Sequence, residues 1–172
     1  KKDEHYSMAP EWTDYSKSVQ YQYYDLTDSI VQGENVIGAI IGDGWYAGNI
    51  AAVGRKQYGD APLGFMLHLS LTYADGSEEL ILTNDTWRGS SGPIVYTDNQ
   101  TGEYYDARLE KEGWCSAGFD DSDWVKIIGV YPPKTIGTRL KASIGPQVKV
   151  MKTIKPESIC EDINGKYIVN MG

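Results

Sequence analysis

The chain has 172 residues, a net charge of -8 and an isoelectric point near 4.7. This length predicts one domain with its own core. The acidity argues against nucleic acid as a partner, and no run of about 18 apolar residues predicts a membrane span.

The two cysteines and two histidines do not form a recognisable chemical motif. Cys115 and Cys160 are not in a CxxC arrangement, and His5 and His68 are far apart. The sequence predicts two free, partly buried thiols, with a disulfide between them as the alternative. It contains neither a Cys/His metal motif nor a specific Ser/His triad signature.

The first strand signals come early in the chain. Residues 18–26 alternate apolar and polar side chains, which predicts a half-buried strand. Residues 35–41 are apolar on both alternating faces, which predicts a central strand covered on two sides.

A glycine-rich turn, Gly42-Asp43-Gly44-Trp45-Tyr46-Ala47-Gly48, follows that run. Glycines favour tight turns, and one acid with two amphipathic rings could face a sugar or a partner loop. The alternative is that Trp45 and Tyr46 fill the end of the core. Residues 46–64 then form a long loop, and such loops are usually functional or firmly anchored.

Further strands complete an all-β pattern. Residues 65–73 alternate strictly, Asp75-Gly76 predicts a hairpin turn, and residues 78–83 return. Residues 103–108 predict a strand carrying an Asp106–Arg108 ion pair, which most often serves a structural role. Short strands separated by Gly, Asn and Asp turns favour a β-sandwich.

Eight motifs, in order, resemble the N-terminal β-sandwich module of bacterial α-L-rhamnosidases, which are glycoside hydrolases. They are Trp12-Thr13-Asp14-Tyr15, Gly33-Glu34-Asn35, the turn 42–48, Tyr73-Ala74-Asp75-Gly76-Ser77, Asp85-Thr86-Trp87, Gly92-Pro93-Ile94, residues 102–108, and Trp114 with residues 119–124. Together they span nearly the whole chain.

The resemblance implies an all-β, antiparallel, jelly-roll-like sandwich of the galactose-binding-domain type over residues 1–155. Residues 156–172 would be a linker and the truncated first strand of the next domain. Family enzymes hydrolyse terminal α-L-rhamnose with carboxylic residues in a later domain, so this chain is expected to be non-catalytic. A bacterial, periplasmic or secreted protein is expected, with the catalytic domain of the same polypeptide as a partner.

The resemblance also implies a sugar site. We expect a rim that holds terminal L-rhamnose or a rhamnosyl glycan, built from Asp43, Trp45, Tyr46, Tyr58, Glu103, Tyr105 and Asp106. Some relatives use calcium beside the sugar, with an acid and an amide ahead of Gly-Trp-Tyr. Here Gly42 and Asp43 hold those positions, so Asp43 is the candidate calcium ligand. The alternatives are a structural module packed on the catalytic domain and a protein-binding adhesion sandwich.

Overall fold

The computed structural model describes residues 8–59, 62–128, 139–146 and 148–172. In that part of the chain, regular structure consists of short strands, one single-turn helix and two 3-10 turns. The strands are β1 Ser18–Tyr21, β2 His68–Thr72, β3 Glu78–Leu82, β4 Arg88–Gly89, β5 Ile94–Asp98, β6 Gly102–Tyr105, β7 Val125–Lys126, β8 Arg139–Ala142, β9 Ser158–Glu161 and β10 Tyr167–Asn170. The helix α1 is Gly44–Ala47, and the 3-10 turns are Ala51–Val53 and Ala107–Leu109.

The chain divides into two compact units. The larger unit, Pro10–Ser143, carries β1 to β8 together with α1 and both 3-10 turns. The smaller unit includes Ile144–Gly172, where β9 and β10 form an antiparallel hairpin.

The β2–β3 hairpin is the clearest product of local sequence in the larger unit. His68 pairs with Leu82 and Thr72 with Glu78, while Leu69 and Leu71 are half-buried between exposed neighbours. Gly76 has φ +84 in the turn, and the Asp75 carboxylate accepts a hydrogen bond from the Ser77 N–H at 2.9 Å. The predicted alternation and Asp-Gly turn are confirmed.

Three other pairs organise the larger unit. β5 and β6 form an antiparallel hairpin with an irregularity between Ile94 and Tyr96, and β4 pairs antiparallel with β7. β1 and β8 run parallel, with Ser18 opposite Arg139. This pair departs from the antiparallel arrangement that the family resemblance implies. A parallel pair needs a long connection between its strands, and the long chain between β1 and β8 supplies one.

Residues 35–41 do not form the predicted central strand. They belong to no sheet in the described structure, and the Ile40 side chain is 68% exposed. The Trp114 ring packs directly on Gly38, where a Cβ would collide with it. The prediction was wrong because an apolar run shows a tendency to be buried but does not supply neighbouring strands.

The buried apolar residues of the described structure lie near the glycine-rich turn. Tyr15, Ala47 and Ile50 are 6%, 7% and 8% exposed, and the buried Asp98 lies beside them in the network described below. The all-β class is confirmed. The sandwich arrangement and the division at residue 155 remain predictions.

Candidate functional site

Glycines shape the turn that presents the candidate side chains. Gly44 opens α1 with φ +49, a conformation that favours glycine. A Cβ on Gly48 would overlap the Gly44 carbonyl oxygen, so the turn closes only with glycine at its end. Gly42 faces the Thr97 methyl group, which a Cβ would meet at 2.8 Å. The turn therefore sits tightly against β5 and displays Trp45 and Tyr46.

Five rings pack together around this turn, and we call them the aromatic cluster: Trp12, Tyr15, Trp45, Tyr46 and Tyr58. Trp12 and Trp45 stack with centroids 5.5 Å apart, and Tyr46 stacks on Tyr58 at 6.3 Å. Tyr15 meets Tyr46 and Tyr58 edge-on at 5.7 and 4.9 Å. Offset and edge-on pairs of this kind are favourable arrangements of aromatic quadrupoles.

Hydrogen bonds fix the polar ends of these rings. The Trp12 indole N–H donates to the Tyr58 hydroxyl at 2.9 Å, and that hydroxyl donates to the Thr13 carbonyl at 3.1 Å. The buried Tyr15 hydroxyl donates to the Glu11 carbonyl. Burial, followed by the nearby Tyr58, raises the pKa of Tyr15 to about 12. The cluster thus anchors residues 11–15 against the long loop.

A cationic bridge lies beside the aromatic cluster. The Arg55 guanidinium donates to Asp43, to Asp98 at 2.8 Å and to the Tyr96 hydroxyl at 3.0 Å. It also lies over the Tyr96 ring, 4.8 Å from the centroid. The bridge joins α1, the long loop and β5 through one side chain, and charge-assisted bonds of this kind are stronger than neutral ones.

Asp98 is the most buried member of this bridge, with its side chain fully inaccessible. It accepts from the Asn49 backbone N–H at 2.7 Å, the Asn49 amide at 3.0 Å, and the N–H groups of Gln100 and Thr101 at 2.8 and 3.1 Å. Burial alone would raise the pKa of Asp98. The three backbone N–H groups and the Arg55 charge outweigh burial and lower that pKa to about 2.

The structure places four of the seven predicted site residues together, one on a neighbouring strand and two further away. Asp43, Trp45, Tyr46 and Tyr58 lie together at the turn and the aromatic cluster. Glu103 is exposed on β6 opposite Thr97, and Thr97 itself contacts Gly42.

Tyr105 and Asp106 lie at the far end of the β5–β6 hairpin from Glu103. Tyr105 lies two residues, or about 7 Å, further along β6 than Glu103. Its hydroxyl donates to Glu110 at 2.5 Å, and Asp106 holds the Arg108 side chain through two hydrogen bonds of 2.8 and 2.6 Å. Both side chains are committed to local partners, and the expected Asp106–Arg108 ion pair is present.

An open depression of about 250 Å³ lies beside the partners of Tyr105 and Asp106. It is lined by Ser91, Gly92, Arg108, Leu109, Glu110 and Lys111. None of the seven predicted residues lines it, so the candidate site is a surface built by rings and charges rather than this depression.

Comparison with known proteins decides the family. Residues 3–152 match the model of the α-L-rhamnosidase N-terminal domain. The chain belongs to this family.

Full-length α-L-rhamnosidases match the chain over almost its whole length. The α-L-rhamnosidase of Streptomyces avermitilis is 40% identical over 165 residues, covering 96% of this chain and 16% of that enzyme. The enzyme of Alteromonas sp. is 34% identical over 167 residues, covering 96% and 18%. This rhamnosidase N-terminal domain therefore spans about a sixth of the relatives' length, and most of each enzyme has no counterpart in it.

Solved α-L-rhamnosidases share the fold. The Streptomyces avermitilis enzyme, crystallised in complex with L-rhamnose, superposes with a TM-score of 0.81 at 36% identity, covering 97% of this chain and 16% of that one. The Aspergillus terreus enzyme gives a TM-score of 0.74 at 32% identity, covering 96% and 19%.

The residues of this rhamnosidase N-terminal domain do not fit a calcium ion at Asp43. The Arg55 guanidinium already holds the Asp43 carboxylate, and a cation repels a second cation. Among the described residues, no group of three or more His, Cys, Asp or Glu side chains could hold a metal ion. His5 lies outside the described residues. No helix in the described structure is long and apolar enough to cross a membrane.

Sequence reasoning missed four contributors to the site: Trp12, Tyr15, Arg55 and Asp98. Trp12 and Tyr15 stand in a motif that carries the family resemblance, which is a usable signal. Arg55 lies in a long loop of the kind that is often firmly anchored. Asp98 reads locally as a turn residue that binds the N–H groups of Gln100 and Thr101. Its role in the bridge has no local signal, because Asn49 and Arg55 lie 49 and 43 residues away in the sequence.

Proposed function

We propose that this chain is a non-catalytic accessory domain of an α-L-rhamnosidase, whose partner is the catalytic domain of the same polypeptide. In this proposal the parent enzyme hydrolyses terminal α-L-rhamnose. The domain covers about a sixth of enzymes that carry this name, and it belongs to their N-terminal domain family.

We further propose that the Trp12–Trp45 stack binds terminal L-rhamnose without a metal ion. The observation that carries this proposal is that the Trp12 ring stays 53% exposed while it stacks on the half-buried Trp45. Trp45 lies two residues after Asp43, which pairs with Arg55. An indole packs against the apolar face of a sugar, while a carboxylate accepts and a guanidinium donates hydrogen bonds to hydroxyl groups. The Streptomyces avermitilis relative was crystallised with this sugar.

Calorimetric titration with L-rhamnose, in calcium and in a chelator, tests this proposal. We expect equal binding in both conditions, and at least a tenfold loss of affinity in Trp45→Ala and in Asp43→Ala. Trp124→Ala is the matched control, because that ring packs on Phe119 and not on the aromatic cluster. Unchanged affinity in both site variants would contradict the assignment, and binding seen only with calcium would contradict its metal independence.

A structural module is the second candidate, favoured by the contacts that the same residues make with each other. Arg55 holds Asp43, and Tyr46 and Tyr58 pack on Tyr15. This candidate predicts no heat with L-rhamnose and a lower melting temperature in Trp45→Ala. A domain that ignores sugars but binds an unrelated protein would instead be an adhesion module.

A further inference from the structure

Arg55 bridges two carboxylates that belong to separate elements. Asp43 directly precedes α1, whereas Asp98 is the last residue of β5. One guanidinium nitrogen donates to Asp98 at 2.8 Å, and the other donates to Asp43. The long loop that carries Arg55 is thereby tied to both elements.

Two carboxylates at such a junction need a positive charge. The Asp98 side chain is fully inaccessible and that of Asp43 is 28% exposed, so water screens neither well. Asp98 already accepts hydrogen bonds from neutral N–H groups, but these carry no net charge. A buried charge left without a counter-charge is destabilising. Proteins meet this need either with a basic side chain or with a divalent ion, and calcium takes carboxylate oxygens readily.

We propose that the Arg55 guanidinium takes the place of a bound divalent metal ion at this junction. It holds Asp43 and Asp98 together, so that the turn 42–48 is fixed against β5 in the absence of metal. The proposal concerns how the turn is held. It does not depend on sugar binding, so its test and the rhamnose titration can fail independently.

Thermal unfolding of the whole chain, in millimolar calcium and in a chelator, tests the proposal. We expect the unsubstituted protein to melt at the same temperature in both. Arg55→Ala should melt at least about 5 °C lower in the chelator, and calcium should restore at least half of that loss. The restoration is expected because the substitution leaves two adjacent carboxylates without a counter-ion.

Two further variants make the result decisive. Arg55→Gln keeps N–H donors but loses the charge, and it should show the same calcium-dependent recovery. It serves as the test variant if Arg55→Ala does not fold. Arg108→Ala is the matched control, because Arg108 is 88% exposed and pairs with the single carboxylate of Asp106. It should change the melting temperature little and show no response to calcium.

Three results would overturn the proposal. The first is stabilisation of the unsubstituted protein by several degrees in calcium, which would mean that a metal ion already acts there. Loss of Arg55 could leave the melting temperature unchanged. Calcium could also fail to restore the folded Arg55 variants, which would reduce Arg55 to an ordinary ion-pair partner.

Discussion

Gly48 illustrates how a single backbone position controls the candidate site. Its φ is -74, so a positive φ does not require glycine here. The requirement comes from space: a Cβ would overlap the Gly44 carbonyl oxygen and would lie 3.0 Å from an Asp98 carboxylate oxygen. A side chain at residue 48 would therefore push the turn away from the buried carboxylate.

Gly48→Ala is expected to lower the free energy of unfolding by about 1–3 kcal/mol, the usual effect of overpacking a tight contact. Urea denaturation measures this change. Gly64→Ala is the control, because a Cβ there has no neighbour within 4 Å. Gly64→Ala should keep or slightly raise the stability, because alanine lowers the entropy of the unfolded chain. An equal loss in both variants would contradict the prediction, because of the two positions only Gly48 has the close approach.

At this scale the sequence predicted residue types better than partners. Glycines, one acid and two rings at a turn are visible in the sequence and are present in the structure. The partner of Asp43 could not be predicted, because Arg55 is one of several basic residues in the chain. No spacing rule connects Arg55 to Asp43 or to Asp98. Only chemistry groups Tyr105 and Asp106 with Asp43, whereas the pairing of Tyr105 with Ile94 and of the Asp106 N–H with the Pro93 carbonyl places them at the far end of the hairpin.

Among the elements, the β2–β3 hairpin depends most clearly on local sequence. Its turn needs Gly76 at φ +84, and a Cβ there would meet nothing within 4 Å. Conformation rather than crowding therefore sets the preference for glycine.

Gly76→Ala is expected to cost about 1–2 kcal/mol of stability, because L residues other than Asn and Asp rarely adopt positive φ. Gly76→Asn should cost less than Gly76→Ala, although its side chain is larger. Chemical denaturation of both variants checks this order. If the loss followed side-chain size instead, steric contact rather than φ would be responsible.

Elements differ in how far the sequence could predict them, for a physical reason. The hairpin follows from alternation and one turn, and both are local. The strand expected at 35–41 required a neighbouring strand on each side, and no local pattern encodes those neighbours. The parallel β1–β8 pair likewise depends on residues near the other end of the larger unit.

For the whole molecule, the Asp98 carboxyl group makes the free energy of unfolding depend on pH. Its pKa is about 2 in the folded chain, against an ordinary value of 3.8. The charged form is thus favoured by folding, so its contribution is complete above about pH 4. That contribution disappears as the pH falls from about 4 towards 2.

Comparison with Asp98→Asn isolates this contribution from those of the other carboxyl groups whose pKa is lowered, such as Asp106 and Asp162. The unsubstituted protein should be more stable than the variant by a constant margin above about pH 4, and the margin should shrink below it. Denaturation at a series of pH values measures the margin. A margin that does not change from neutral pH to pH 2 would contradict the prediction.

The parallel pairing of β1 with β8 also has a consequence for how the chain reaches its fold. Ser18 meets Arg139, about 120 residues later, so the pair closes a very long loop. Closing that loop lowers the entropy of the chain, and the β1–β8 hydrogen bonds stabilise the fold only after the loop has closed. During synthesis β1 cannot pair with β8 until nearly the whole larger unit has left the ribosome, whereas the hairpins β2–β3 and β5–β6 can form as soon as they emerge. We therefore expect β1 to join last, as a slow step after the hairpins have formed.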